Sequence, residues 1–411
     1  MPSANGNLRL IAMQLIAGRQ EVSLRAAREV EAAGQWNELT ALALRWKILS
    51  SLETRTAALN VEIPEGIRKD ISGYTSRTFV QSSLCIRSGI TALSALERVG
   101  IPCLGFKGLA TVGLLYGGPR NRMLQDVDVL VRPEDAERAV TVLESVGFKR
   151  SMEGSWQEYL AFVRASPGSA GNEAVSLTDA QGGAVDLHWR LGVVETEVLL
   201  ANKRKIRIHN TEVPVTGAGH TMLLCVHHAL RNDFVPDDIA RDICDFSRWR
   251  APLDETGEWP KIAADAGRWG LKEACQALDI VVNTLDGCPG RQTSLTGDAA
   301  ELRGAKRLAD LYFYQLDGQS LNTDLAYLTS LRPTQQILSG VSSGWKQYLV
   351  SMRRSEEING ELSLPLKTRL WRLMRSAVRL SPSQWRQVRA LAKAKDRLSK
   401  TAGDPQVNPA D

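Results

Sequence analysis

Residues 100–148 read GIPCLGFKGLATVGLLYGGPRNRMLQDVDVLVRPEDAERAVTVLESVGF, and this stretch decides the fold. Ile101–Phe106 is a short apolar strand. Leu104-Gly105-Phe106-Lys107-Gly108 turns it into a short helix, Gly108–Tyr116, which Gly117-Gly118-Pro119 ends. Asp126–Val131 is a second strand. Side chains alternate across a strand, so Val127 and Val129 point into a core while Asp126 and Asp128 share the opposite face. The helix from Pro133 to Val146 opens on proline and acidic residues and stops at Gly147.

Two carboxylates on one strand face repel each other and call for a cation between them. A hard divalent ion such as Mg2+ or Mn2+, shared with phosphate oxygens, meets that need. Asp-x-Asp alone is a common pattern, and its neighbours add the weight. Gly105 and Gly108 allow backbone N–H groups to approach a phosphate at a helix start, and Lys107 adds a full positive charge. Further on, Val185-Asp186-Leu187-His188-Trp189 alternates in the same way and puts Asp186 and His188 on one face. It follows a hairpin whose strands, Ala174–Thr178 and Ala184–Trp189, flank Asp179–Gly183. A third carboxylate beside a metal-binding pair suits phosphoryl transfer, as a ligand or as the base for an acceptor hydroxyl.

Outward from this centre the texture is helical. Residues 7–98 carry apolar positions at helical spacing, with a long segment between Pro64 and Arg98. Glu212–Thr216 is a last short strand. From 219 onward Met222, Leu223, Val226 and Leu230, then Ile239, Ile243, Phe246 and Trp249, mark further helix faces. The expected layout is a helical region over 1–98, an α+β core over 99–216, a helical domain over 217–352, and a basic amphipathic helix with its tail over 353–411.

Composition sets the limits. The chain has 411 residues, 43% hydrophobic and 24% charged, which excludes disordered and fibrous classes. Its +5 charge and pI near 8.9 come from the tail. Residues 361–411 hold eleven basic and four acidic side chains, a net +7, and the remainder carries −2. The body is therefore no nucleic-acid-coated surface, and no nucleic-acid recognition motif accompanies the tail. Leu366, Leu370, Leu373, Met374 and Ala377 make the tail an amphipathic helix. It has two readings: docking on the body, or resting on an anionic membrane surface or acidic partner. Six scattered cysteines without a C-x-x-C pair, and no signal-peptide pattern, lead us to expect a cytoplasmic protein with reduced thiols, peripheral to a membrane at most. Cys225, His228 and Cys244 match no zinc spacing and read as helix packing.

Taken together, Lys107-Gly108, Arg122, Asp126-x-Asp128 and the Asp186 strand resemble the bacterial nucleotidyltransferase proteins of the polymerase-beta-like superfamily. The segment Leu223–Arg231 with Asp242 and Asp245 is similar to their helical C-terminal part. The superfamily's usual turn is Gly-Ser or Gly-Gly, where this chain has Lys107-Gly108. The resemblance implies an α+β polymerase-beta-like core with a mixed sheet. It implies Mg2+ or Mn2+ on Asp126, Asp128 and Asp186. It places the nucleoside triphosphate, ATP by default, on Gly105, Lys107, Gly108 and Arg122. His188 would orient Asp186 or touch an acceptor that the sequence does not name. A scaffold that binds nucleotide without turnover is one alternative. An Asp-x-Asp glycosyltransferase is another, and would need a nucleotide-binding βαβ unit ahead of Asp126.

Overall fold

The computed structural model describes residues 4–316, apart from 152–153, 166–171, 209, 233 and 290–297. The 353–411 helix and tail lie outside the described residues. The chain opens with five helices: α1 (Ala4–Ala17), α2 (Gln20–Ala33), α3 (Trp36–Arg45), α4 (Leu49–Ala58) and the long α5 (Glu65–Arg98). Pro64 stands just ahead of α5, where its fixed φ and missing N–H do no harm. Among the described residues no strand precedes Cys103, so the βαβ unit that a glycosyltransferase needs is not in this segment.

Strand β1 (Cys103–Gly105) leads into α6 (Gly108–Thr111), which continues as a π-helical turn over Val112–Tyr116. Strand β2 is Val127–Val131, followed by a 3-10 turn and α7 (Ala136–Ser145). Then come β3 (Lys149–Arg150), α8 (Trp156–Ala165), β4 (Asn172–Thr178), β5 (Ala184–Leu191), α9 (Thr196–Ala201), β6 (Lys203–Ile208) and β7 (Thr211–Thr216). Four helices finish the described chain before its last one: α10 (Ala218–Arg231), α11 (Pro236–Thr256), α12 (Trp259–Arg268) and α13 (Lys272–Leu285). The last is α14 (Ala299–Leu316).

The seven strands form one mixed sheet in the order β3-β4-β5-β2-β1-β7-β6. β2 runs antiparallel to β1 and parallel to β5. This is the α+β architecture with flanking helices that the sequence predicts. β6 was not foreseen: its residues, KRKIRI, carry four basic side chains. That composition suits an edge strand, because charge there deters pairing with another chain.

The two faces of the sheet are covered differently. Val127, Val129, Val131, Val185 and Leu187 pack with Ile86, Leu93 and Leu96 of α5 and with Val140 and Leu143 of α7. The fit is close enough that a Cβ on Gly89 would lie 2.6 Å from Val127 Cγ1. On the other face Leu104, Phe106 and Leu130 join a core shared by α1–α4 and α10–α14. The helices of the two chain ends are thus one hydrophobic body, with α1 packed on α11 and α13. No described helix is long and apolar enough to cross a membrane.

Candidate active site

Asp128, Asp186 and His188 emerge on the face of the sheet opposite α5, and Asp126, expected at the start of the strand, stands just ahead of β2. Alternation puts the first three there, and strand register brings them together. Asp128 pairs directly with Asp186 across the parallel β2–β5 ladder, and Leu130 pairs with His188. The side-chain ligand atoms of Asp128, Asp186 and His188 all lie within 4.8 Å of one another.

The turn between β1 and α6 supplies the cation. Lys107 adopts φ 45° and ψ −112°, a conformation that suits glycine and strains other residues. Its Nζ reaches Asp128 Oδ1 at 2.8 Å. The glycines beside it serve packing. A Cβ on Gly105 would lie 2.5 Å from Leu109 Cδ2. One on Gly108 would lie 2.5 Å from Leu124 Cδ2 and 3.0 Å from Arg122 Nη1. The left-handed position falls on the lysine, and the glycines let the short helix sit against its own strand and the β2 entry.

His188, expected to orient Asp186 or touch an acceptor, contacts Asp128, with Nε2 3.0 Å from Oδ1. The reason is register: His188 lies beside β2, and its ring packs edge-on against Phe106 at 5.1 Å. Its Nδ1 is buried with no partner among the described residues. That arrangement favours Nε2–H donating to Asp128 and a bare Nδ1. Asp186 is oriented from the other side: Ser176 Oγ donates to its Oδ1 at 2.6 Å. Ser176 was missed, although counting back from the Asp179–Gly183 turn pairs it with Asp186.

The electrostatics follow from this geometry. Burial alone would raise the Asp128 carboxyl, but Lys107 and the His188 hydrogen bond outweigh it and hold it well below the usual range. Asp126 goes the other way. Burial first, then the charges of Asp128 and Asp186, push it up to about 6. Burial also lowers the His188 imidazole, outweighing the hydrogen bond to Asp128 that would raise it. The site therefore holds three carboxylates against one lysine. This donor set fits a hard divalent cation, with Asp128 Oδ2 lacking a partner among the described residues.

Arg122 is not directed at this surplus. It is buried, and its Nε and Nη2 donate to Asp245 of α11, with Nη2 2.7 Å from Oδ2. Tyr116 Oη donates to Asp245 Oδ1 at 2.8 Å. Burial opposes the guanidinium's charge, and Asp245 more than restores it. Cys225 and Asp242 stand beside Asp245, all three buried and within 4.8 Å. His228 Nδ1 engages Asp242 at 2.6 Å. Cys225 and Cys244 thus line a salt-bridged interior, and burial raises both thiols.

Residues 32–285 match the model of a family described as an uncharacterised nucleotidyltransferase. The chain belongs to this family. The matched span runs from α2 to the end of α13, so family membership takes in the helices on both sides of the sheet as well as the carboxylate strands. No curated protein matches the sequence.

Proposed function

We propose that this nucleotidyltransferase-family protein transfers a nucleoside monophosphate from a nucleoside triphosphate to a hydroxyl or phosphate acceptor, in a metal-dependent reaction. The observation that carries the reading is the register pair Asp128–Asp186. It holds two carboxylates side by side, with Asp126 nearby and Lys107 the one cation in direct contact with them. Asp126, Asp128 and Asp186 would hold Mg2+ or Mn2+. Bound there, the ion would supply Lewis-acid charge at the α-phosphate and lower the proton affinity of the attacking oxygen.

The chain's own groups divide the remaining work. The acceptor oxygen attacks the α-phosphorus; the new P–O bond forms as the α,β-anhydride bond breaks, and pyrophosphate leaves. Where the acceptor is a hydroxyl, its proton passes to Asp186, which Ser176 holds in place. Lys107, which rests on Asp128, would serve the phosphates when that carboxylate holds the ion. His188 keeps Asp128 oriented throughout. ATP is the default donor, and the polymerase-beta-like kinship implied by the motifs is part of this proposal.

The test is transfer of labelled nucleotide to a broad acceptor set with Mg2+ or Mn2+, read alongside pyrophosphate release. Wild-type protein should transfer label, and Asp126→Ala with Asp128→Ala should abolish it. Equal behaviour of the two proteins would sink the proposal. Metal-dependent nucleotide binding without pyrophosphate release in any condition would convert it to the scaffold reading.

A further inference from the structure

A triphosphate brings roughly four negative charges to a site already rich in carboxylates, so the metal needs help from protein cations. Of the cations near the site, most are committed or absent. Lys107 rests on Asp128 and is a single charge against roughly four, even once it turns to the phosphates. Arg122 is buried on Asp245. His188 is hydrogen-bonded to Asp128, and burial pushes His227 down to about 3. Arg241 is the exception. It is half-buried on α11, and it forms no hydrogen bond or ion pair among the described residues.

Its position is fixed by its helix. Arg241 and Asp245 are four residues apart and so lie one turn apart on the same face of α11. Asp245 faces Arg122, and Arg122 Nη1 in turn borders Gly108 of the lysine turn. Arg241 therefore stands on the side of α11 that overlooks the β1–α6 turn and the entry to β2. Its charge is felt at Asp126 and at Cys225. Its planar bidentate donors match phosphate oxygens well.

We infer that Arg241 binds the β- and γ-phosphates of the donor nucleotide, the part released as pyrophosphate, while Arg122 positions the turn through Asp245. The α-phosphate belongs at the carboxylates, where the chemistry occurs, and the other two extend toward the α11 roof. This inference rests on the nucleotidyl-transfer reading. It also explains how the site manages without Arg122, whose guanidinium the sequence alone directs at the triphosphate.

The experiment is equilibrium binding to the full chain with Mn2+ present, for wild type, Arg241→Ala and Arg241→Lys. The probes are ATP, GTP, CTP and UTP, the matching nucleoside monophosphate, inorganic pyrophosphate, and Mn2+ alone. Arg241→Ala should weaken the preferred triphosphate and pyrophosphate by about tenfold to a hundredfold. Monophosphate and Mn2+ affinities should stay within about twofold, because they do not use the β- and γ-phosphate contacts. Arg241→Lys, which keeps the charge and loses the fork, should fall between the two and also cover the case in which the alanine variant does not fold. Wild-type triphosphate binding left unchanged by Arg241→Ala, or an equal loss of monophosphate binding, overturns this inference alone. Wild-type protein that binds none of the four triphosphates overturns the nucleotidyl-transfer reading and this inference with it.

Discussion

Two clusters of acidic side chains lie in the molecule, and their residue types are nearly alike. One joins Asp128, Asp186 and His188, with Asp126 close enough to feel both carboxylates; the other joins Asp242, Asp245 and Cys225 with His228. Their charge balance separates them. In the second cluster Asp245 takes two guanidinium nitrogens and a tyrosine hydroxyl, and Asp242 takes a histidine. In the first, Lys107 is the one cation in contact with the carboxylates, and Asp126, through burial first and then the charges of Asp128 and Asp186, is pushed up to about 6. The compensated cluster locks α11 to the β1–α6–β2 segment. The uncompensated one is left with an electrostatic need that a metal–nucleotide complex would meet. A group of metal-ligating side chains is informative only when its charge is counted.

The widest difference between the clusters should appear in catalysis. Removing Asp126 and Asp128 together should cost about a thousandfold or more in transfer rate, since the metal loses its carboxylates. The thermal midpoint should change little, because relief of repulsion at Asp126 offsets the loss of Asp128's bonds to Lys107 and His188. A variant that loses activity only by unfolding would erase the distinction between the clusters.

The second cluster should answer in stability. Asp245→Ala leaves the buried Arg122 guanidinium uncompensated and should cost about 3–5 kcal/mol in urea denaturation. Replacing both partners with apolar residues, Arg122→Met with Asp245→Leu, should recover most of that loss. A double variant as unstable as the single would mean that Tyr116 and Asp242 carry the lock without the ion pair.

Next comes the lysine turn. Lys107→Gly and Lys107→Ala remove the same ammonium, yet only glycine relaxes at φ 45°. The glycine variant should be the more stable by about 1–2 kcal/mol, with both equally impaired in nucleotide binding. Equal stability would show that the strain at Lys107 is relieved elsewhere.

The sequence exposes the first cluster more fully than the second, for physical reasons. Alternation in Asp126–Val131 and Val185–Trp189 settles which side chains share a face, and the mixed helix–strand texture settles the α+β class. Which carboxylate His188 serves depends on the β2–β5 register, a pairing of segments about sixty residues apart. Arg122 finds its partner 123 residues away, on a helix whose periodicity marks an apolar face but not its neighbour. The joint core has the same cause. The amphipathic stripes of α1, α11 and α13 are each visible alone, and nothing local says that they meet. β6 hides for another reason: its edge position favours charge over the apolar alternation by which strands are recognised.

The smallest expected effect is the most discriminating, because its sign differs between the clusters. In metal-free protein Asp126 holds its proton up to about pH 6, whereas the unfolded chain releases it near the ordinary value of 3.8. The folded state thus binds the extra proton between those values, and this residue's contribution to stability declines as pH rises from about 4 to about 6. Buried histidines act oppositely over part of that window: His188, His220 and His227 are all lowered, so the unfolded chain binds more protons there. Total stability mixes the two effects, and the difference between Asp126→Asn and wild type isolates one. That difference should be near zero at pH 4, grow in favour of the variant to about 1–2 kcal/mol by pH 6.5, and stay level above. Mn2+ should shrink it, by stabilising wild type through the carboxylate that the variant lacks. Asp245→Asn should be destabilising at every pH in the same range, with or without Mn2+. If Asp126→Asn also destabilises the metal-free protein at pH 7, Asp126 is compensated in the fold, and the surplus charge that sets the two clusters apart is absent.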